Sequence, residues 1–334
     1  MLLFYWFKRR TFILKQVNAS RVKYSPSKVE MYKELISYAL PLAFVGLAIP
    51  LFQLIDLFTV NNALIRSGLM DKGETLTFFA VFTQTAHKII LIPMALATAF
   101  SITLIPTITT SFISNDTRTL QHQITKTFQI ILLITLPASF GMSVLSSYIF
   151  GTLYGLDSVG MGGMVLQHYA PIALFFSLFS ISAAILQGIN KQKYAVIALT
   201  IGLLVKLSLN YALLYKIGAL GGILATYLGF ATAVFITMWG IRKYANYPFR
   251  LLKKHVSQMV AFSSIMSITL YYLTNYLQLH FPYTSWENGL IILVAGVTVG
   301  SMVYVFLCYQ FGLVSTVLGN PLRLFKKNVK SSEG

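Results

Sequence analysis

Ionisable side chains inside long apolar stretches are the residues of this sequence best suited to chemistry. Asp56, Lys88 and Lys206 stand out, because each is flanked by runs of aliphatic and aromatic residues. An ionisable group at membrane depth is costly, and it usually faces a bundle interior or water. Two ammonium groups without counter-ions favour an anionic ligand, and a phosphate in particular.

Two amide side chains extend these positions into polar stripes. Asn210 follows Lys206 by four residues and Gln53 precedes Asp56 by three, so each pair shares a helix face. We therefore predict a substrate-binding cavity lined by Lys88, Lys206, Asn210, Gln53 and Asp56. The alternative is that each lysine extends towards the membrane surface, or that one of them pairs with Asp56 in a structural role.

The composition indicates an integral membrane protein. The 334 residues are 56% hydrophobic and 10% charged, whereas soluble domains carry about 25% charged residues. The net charge of +17 lies between the apolar runs, so we expect no nucleic-acid partner.

Motifs for catalysis and for metal binding do not occur in the sequence. It contains a single cysteine, five scattered histidines, no phosphate-binding glycine loop and no HExxH pair. We therefore predict no enzymatic activity, no catalytic residue, no metal site and no cofactor.

The elements that must position the polar residues are transmembrane helices, each of which needs about 20 apolar residues. Eight segments qualify, and the sequence predicts an all-α integral membrane fold. They are residues 35–60, 78–110, 128–150, 163–187, 194–215, 220–241, 256–277 and 289–311.

The depth of each polar residue follows from the rise of about 1.5 Å per helical residue. Lys88 and Lys206 lie ten and twelve residues into their predicted spans. Both are therefore expected about 15–18 Å deep, near the membrane midplane. Asp56 is expected about 31 Å from the start of the first span, close to the opposite surface.

The basic residues between the spans predict the topology. Of the 24 Lys and Arg residues outside the spans, 21 fall on one side and three, Arg66, Lys72 and Lys216, on the other. Cytoplasmic connections are enriched in Lys and Arg. Both termini are therefore predicted to be cytoplasmic.

Prolines separate the predicted spans into two groups. Six of the ten lie in the first four spans, where bends are expected, and none in the last four. Bent helices beside straight ones suggest a transporter with moving elements. Tolerance of proline is also a general property of membrane helices. The six are Pro41, Pro50, Pro93, Pro106, Pro137 and Pro171.

From residue 34 onward the sequence resembles the multidrug/oligosaccharidyl-lipid/polysaccharide exporter superfamily. The resemblance is strongest to its spore-cortex and polysaccharide-biosynthesis proteins and to the MurJ-like lipid II flippases. The most specific signal is Lys88 five residues before Pro93, followed by LATA (96–99). Other matching stretches are LISYALPLAFVGLAIPLFQLIDLFTVNNAL (35–64), LPASFGMSVLSSYIFGTLYG (136–155), ILQGINKQKY (185–194) and LLVKLSLNYALL (203–214).

The resemblance implies a domain organisation. The family has two six-helix lobes around a central cavity, followed by two further helices. This chain would supply a basic cytoplasmic linker at 1–33, beginning with the end of a helix, the second lobe at 34–243, the two further helices at 244–311 and a basic cytoplasmic tail at 312–334. Within this linker, residues 4–17 are a candidate for an interfacial helix. The first lobe is expected to be absent from this chain. A separately encoded first lobe is one possible partner.

The function implied by the resemblance is translocation of an undecaprenyl-diphosphate-linked sugar across the bacterial cytoplasmic membrane. Lys88 matches a cavity cation of the lipid II flippases, and the last two helices match the groove for the lipid tail. Two alternatives stay open: a cation-coupled multidrug exporter of the same superfamily, and a truncated remnant that does not transport. Membrane lipid is an expected partner in each case.

Overall fold

The computed structural model describes residues 27–318, apart from the side chains of Tyr38, Phe100, Ser101 and Leu318. The region proposed for an interfacial helix, residues 4–17, lies outside the described residues. The chain divides into two compact units, residues 1–42 and residues 43–334. The described part of the first unit is one helical segment, which begins at a capping box between Ser27 and Glu30.

The described residues form helices and connections, without a β-strand. In chain order the helices are α1 (Lys28–Gly46), α2 (Ala48–Ser67), α3 (Lys72–Ala80), α4 (Ala86–Ile102), α5 (Ile105–Ile113), α6 (Thr117–Val144), α7 (Ser146–Tyr154), α8 (Val159–Tyr169), α9 (Ile172–Gly188), α10 (Gln192–Ile217), α11 (Ala219–Ala245), α12 (Arg250–His280), α13 (Trp286–Gln310) and α14 (Leu313–Leu318). A π-helical turn, Val81–Thr85, joins α3 to α4, and a 3₁₀ turn, Leu156–Ser158, precedes α8.

Seven helices of the described chain are long and apolar enough to span a membrane, and the number is the predicted eight when one bent helix pair is counted as a single span. This pair is Leu156–Tyr169 and Ile172–Gly188, bent by 44°. Pro171 stands at this bend as the N-cap residue of α9. The bend follows from proline chemistry, since the ring removes a backbone donor and clashes with the preceding turn.

The predicted start of the first span was wrong. The helix that qualifies as a span is Ala48–Ser67, not residues 35–60. α1 ends at Gly46 and α2 begins at Ala48. Pro50 has no N–H to donate to the Gly46 carbonyl group, so the helix is interrupted at this point.

The helices break in the first half of the fold and not in the second. α4 ends at Ile102 and α5 restarts at Ile105 with Pro106 in its first turn. By contrast, α10, α11, α12 and α13 are each continuous over 25 residues or more. α6 is also continuous over 28 residues although Pro137 lies inside it, so helix breaks distinguish the first, second and fourth predicted spans from the last four, but not the third.

Within the second unit, side chains on the inner faces of these helices form the core. α10 packs along α11 and against α2, while α12 packs against α6 and α13. The beginning of the predicted tail belongs to this core, because Leu313 and Val317 of α14 are buried and α14 packs against α13 and α6.

Candidate functional site

Two helices of the second unit carry buried polar residues on facing stripes. On α2, Phe52, Asp56 and Val60 recur every four residues and are buried. On α10, Lys206 and Asn210 have the same spacing and are fully buried. A four-residue spacing places side chains on one helix face, so the two stripes meet where α2 packs against α10.

The polar side chains of these stripes bind each other. Lys206 Nζ donates to Asp56 Oδ2 at 2.6 Å. Asn210 Nδ2 donates to Asp56 Oδ1 at 3.1 Å and to Thr59 Oγ1 at 2.6 Å. Both carboxylate oxygens therefore have a donor. Asn210 Oδ1 is buried without a partner among the described residues.

Close helix packing encloses this ion pair. A Cβ atom on Gly229 of α11 would lie 2.6 Å from Phe52 Cε1 and 2.8 Å from the Gly202 carbonyl oxygen. Only glycine permits this approach. The Lys206 ammonium group lies 5.3 Å from the centroid of the Phe52 ring. The side chains of Lys206 and Asp56 are 0% and 3% exposed, so their attraction is little screened by water.

This geometry argues against Lys206 and Asn210 as open cavity residues. A buried ammonium group at 2.6 Å from a carboxylate already has its counter-ion, which matches the alternative of a structural pair with Asp56. Asp56 also lies at the depth of Lys206 and not near the opposite surface. The first span begins at Ala48, which places Asp56 about 12 Å along it.

Lys88 lies in a different environment. Its side chain is exposed, and it makes no hydrogen bond or ion pair with another described residue. Gln84, four residues earlier, is also exposed, so a polar stripe lies on one face of this span. The preceding residue, His87, is 5% exposed and shares a hydrogen bond of 3.2 Å with the Tyr169 hydroxyl group. Burial of His87 thus fixes the rotation of the helix about its axis, and this rotation exposes the Lys88 side chain.

Gln53 is separate from Asp56, although the two are three residues apart. Its Nε2 donates to the carbonyl oxygen of Thr83 at 3.0 Å. Thr83 belongs to the π-helical turn Val81–Thr85, and such turns are frequent at functional sites. Gln53 therefore connects α2 to the turn that precedes Lys88, and the sequence pattern gave no signal for this turn.

An apolar cavity of about 360 Å³ lies between α6, α12 and α13. Pro137 and Gly141 of α6 line one wall, and Gly296 and Gly300 of α13 line another. Glycine and proline leave space where larger side chains would fill it. The cavity is apolar enough to accept a hydrocarbon chain.

Metal ligands do not converge in the part of the chain from residue 27 to 318. No three His, Cys, Asp or Glu side chains there could hold one ion.

The fold and its buried ion pair define a polytopic α-helical membrane protein, and comparison with known proteins identifies its family. The family model described as lipid II flippase MurJ matches residues 80–291, more than half of the chain. The chain belongs to the MurJ lipid II flippase family. This is a family of transporters and not of enzymes, and its members are multi-pass proteins of the cytoplasmic membrane.

Individual relatives agree with this assignment. The lipid II flippase MurJ of Bacillus subtilis (strain 168) is 39% identical over 325 residues, which cover 96% of this chain and 59% of that protein. The uncharacterized membrane protein YabM of the same organism is 23% identical over 337 residues, covering 99% of this chain and 61% of YabM. A probable low-salt glycan biosynthesis flippase, Agl15 of Haloferax volcanii, is 26% identical over 243 residues, which cover 72% of this chain and 49% of Agl15.

A solved structure shares the fold. The inward closed conformation of a lipid II flippase MurJ matches with a TM-score of 0.61 and 19% sequence identity. The match covers 90% of this chain and 59% of that chain. The present chain thus spans about three fifths of the length of the first relatives that it matches.

Proposed function

We propose that this chain forms one wall of a flippase that moves an undecaprenyl-diphosphate-linked sugar, such as lipid II, between the leaflets of the cytoplasmic membrane. The observation that carries the proposal is the outward ammonium group of Lys88, which has no counter-ion among the described residues. It stands on a helix of the matched family segment. An ammonium group attracts a diphosphate as a point charge.

We propose a structural role for Asp56, Lys206 and Asn210. They join α2 to α10 while Gln53 holds the π-helical turn before Lys88. Residues 34–243 would then act as one six-helix lobe of an alternating-access cavity. The opposite wall would come from the first lobe of the family's organisation, for which a separately encoded chain is one source.

Residues 244–311 are proposed to hold the lipid tail. The apolar cavity between α6, α12 and α13 supports this role, because its wall is built by Gly296 and Gly300 on the final span and by α6 of the proposed lobe. An isoprenoid chain needs an apolar surface continuous with the membrane, and exposed aromatic residues such as Tyr272 and Phe306 provide further apolar area on α12 and α13.

A cation-coupled multidrug exporter is the weaker proposal. Such an exporter is expected to use a buried carboxylate that can exchange a cation, and Asp56 is the buried carboxylate among the described residues. Lys206 already occupies this carboxylate at 2.6 Å. Release of Asp56 would leave the ammonium group buried without a partner, which is costly.

The test is lipid translocation in liposomes that carry a fluorescent undecaprenyl-diphosphate sugar. The chain is reconstituted together with the part of the Bacillus subtilis relative that it does not match. We expect flipping, and we expect Lys88→Ala to reduce the rate about tenfold or more, because charge-assisted bonds to phosphate are the strong ones. Lys88→Arg should retain most of the rate.

Lys216→Ala is the matched control, because it removes an exposed lysine from the end of α10. Its rate should equal that of the unchanged protein. Equal rates for Lys88→Ala, Lys88→Arg and the unchanged protein would remove Lys88 from the mechanism. Export of a cationic drug without movement of the lipid-linked sugar would favour the second proposal.

A further inference from the structure

The connection between α11 and α12 is held in one conformation by side chains of α6. Gln121 Nε2 donates to the carbonyl oxygen of Asn246 at 2.8 Å. The hydroxyl groups of Thr125 and Tyr247 share a hydrogen bond of 2.8 Å, and the Tyr247 side chain is fully buried. Its ring also packs edge-on against Phe249. The connection is therefore a preformed surface.

This preformed surface borders an open cavity of about 560 Å³, and its lining includes two arginines. Arg242 lies in the last turn of α11 and Arg250 is the first residue of α12. Both are exposed, and neither forms a hydrogen bond or ion pair with another residue in the range 27–318. The cavity is lined by Arg242, Asn246, Tyr247, Pro248, Phe249 and Arg250.

Helix polarity adds to the positive charge. The amino-terminal end of a helix carries a partial positive charge, which normally favours Asp or Glu. The beginning of α12 instead carries Arg250, Lys253 and Lys254, without an acidic residue in its first turn. Its N-cap residue, Phe249, supplies no capping hydrogen bond. Bound anionic charge would relieve this repulsion.

A carboxylate in a nearby connection is already engaged. Asp116 caps α6, where its Oδ1 accepts a hydrogen bond from the Thr119 backbone N–H at 3.0 Å. The one ion pair recorded among the described residues is that of Asp56 with Lys206. Arg242 and Arg250 therefore lack a protein counter-ion within the described part of the chain.

The cavity lies at a membrane surface, since it is bounded by the ends of two candidate spans, Ala219–Ala245 and Arg250–His280. Trp239, half exposed on α11, has the Lys243 ammonium group 5.0 Å from its ring centroid. Tryptophan and lysine together are typical of the level of the lipid headgroups.

We propose that Arg242 and Arg250 bind the phosphate group of an anionic phospholipid, with phosphatidylglycerol as the probe. A guanidinium group contacts phosphate through two parallel N–H donors. Basic cavities between membrane helices at the headgroup level are suited to such lipids. The lipid source is favoured over soluble phosphate because Pro248 and Phe249 give the cavity an apolar side. The site is independent of the flippase proposal.

Native mass spectrometry of the delipidated full chain in detergent tests the site. Phosphatidylglycerol should bind at least tenfold more tightly than phosphatidylcholine. The double variant Arg242→Gln/Arg250→Gln should lose about tenfold or more of this affinity, since each cation at a lipid surface contributes about fivefold. Arg242→Lys/Arg250→Lys, which keeps both charges, should lose less, and it covers the case in which the glutamine variant fails to fold.

The matched control is Lys253→Gln/Lys254→Gln. It removes two exposed charges from the same helix end without touching the cavity lining, and its affinity should change less than threefold. Equal losses in the control and in the glutamine variant would overturn the site in favour of nonspecific attraction. Displacement of the lipid by millimolar inorganic phosphate would overturn it in favour of a soluble anion.

Discussion

The Asp56–Lys206 pair shows how one contact decides the role of a charged residue in an apolar bundle. At 0% exposure Lys206 cannot reach water, so its charge is balanced by Asp56 at 2.6 Å. Lys88 is exposed and has no ion-pair partner among the described residues, so its charge stays available to a ligand. Whether a lysine has a carboxylate partner, more than its presence in a span, therefore decides whether it stabilises the fold or is free to bind a ligand.

Removing either partner of this pair should destabilise the protein strongly. Lys206→Met or Asp56→Leu alone leaves an uncompensated buried charge, at a cost of about 3–5 kcal/mol. The double variant Asp56→Leu/Lys206→Met should recover most of this stability, because two apolar side chains of similar volume can replace a buried ion pair. Thermal unfolding of the detergent-solubilised chain measures the effect.

Lys193→Met is the control for that measurement, since Lys193 is an exposed lysine on the same helix. It should unfold at nearly the unchanged temperature. Additive losses in the double variant would contradict an energetic coupling between Asp56 and Lys206.

Sequence reasoning at the residue scale found the residues but not all of their partners. Asp56, Lys206 and Asn210 were identified because charged and amide groups are rare in apolar stretches. Their mutual contact depends on the register between α2 and α10, which is set by side chains far apart in the sequence. Gln53 shows the same limit, because its acceptor is a backbone carbonyl group of a π-helical turn.

At the scale of the elements, small residues determine how closely the helices pack. The crossing of α10 with α11 depends on Gly202 and Gly229. A Cβ atom on Gly202 would lie 2.6 Å from the Gly229 carbonyl oxygen and 3.1 Å from Ala233 Cβ. A backbone oxygen cannot rotate away as a long side chain can, so the helices would have to separate.

Gly202→Ala is therefore expected to lower stability by about 1–3 kcal/mol, the usual cost of overpacking. Gly160→Ala in α8 is the matched control, because nothing lies within 4 Å of a Cβ atom there. It should be neutral or slightly stabilising, since alanine is the better helix former. The two variants are compared by thermal unfolding, and equal behaviour would contradict the close crossing.

Elements with strong periodic signals were predicted well from the sequence. The last four predicted spans correspond to α10, α11, α12 and α13, which are about two to nine residues longer than predicted. The first span was misplaced because an apolar run continues through Pro50 from α1 into α2, so hydropathy alone does not mark the helix break. The π-helical turn had no local signal, because its residues resemble those of the flanking α-helix.

At the scale of the whole molecule, the charge distribution predicts the orientation in the membrane. Among residues outside the predicted spans, 21 Lys and Arg lie on one side and three on the other. Positive residues are retained on the cytoplasmic side during insertion. The same distribution surrounds the proposed lipid cavity with cations, since Arg242, Lys243, Arg250, Lys253 and Lys254 all lie between the sixth and seventh predicted spans.

Both termini are therefore predicted to be cytoplasmic, and cysteine labelling of intact cells can test this. The native Cys308 is buried, so a Cys308→Ala background removes it from the assay. New cysteines at Asp157 and Glu287, which lie between spans on the predicted outer side, should react with an impermeant maleimide from outside. Cysteines at Asn115 and Lys253 should react only after the membrane is permeabilised. Because the spans alternate in direction, one residue on the wrong side would reverse the assignment of every connection after it, and labelling of Asn115 from outside would overturn the topology.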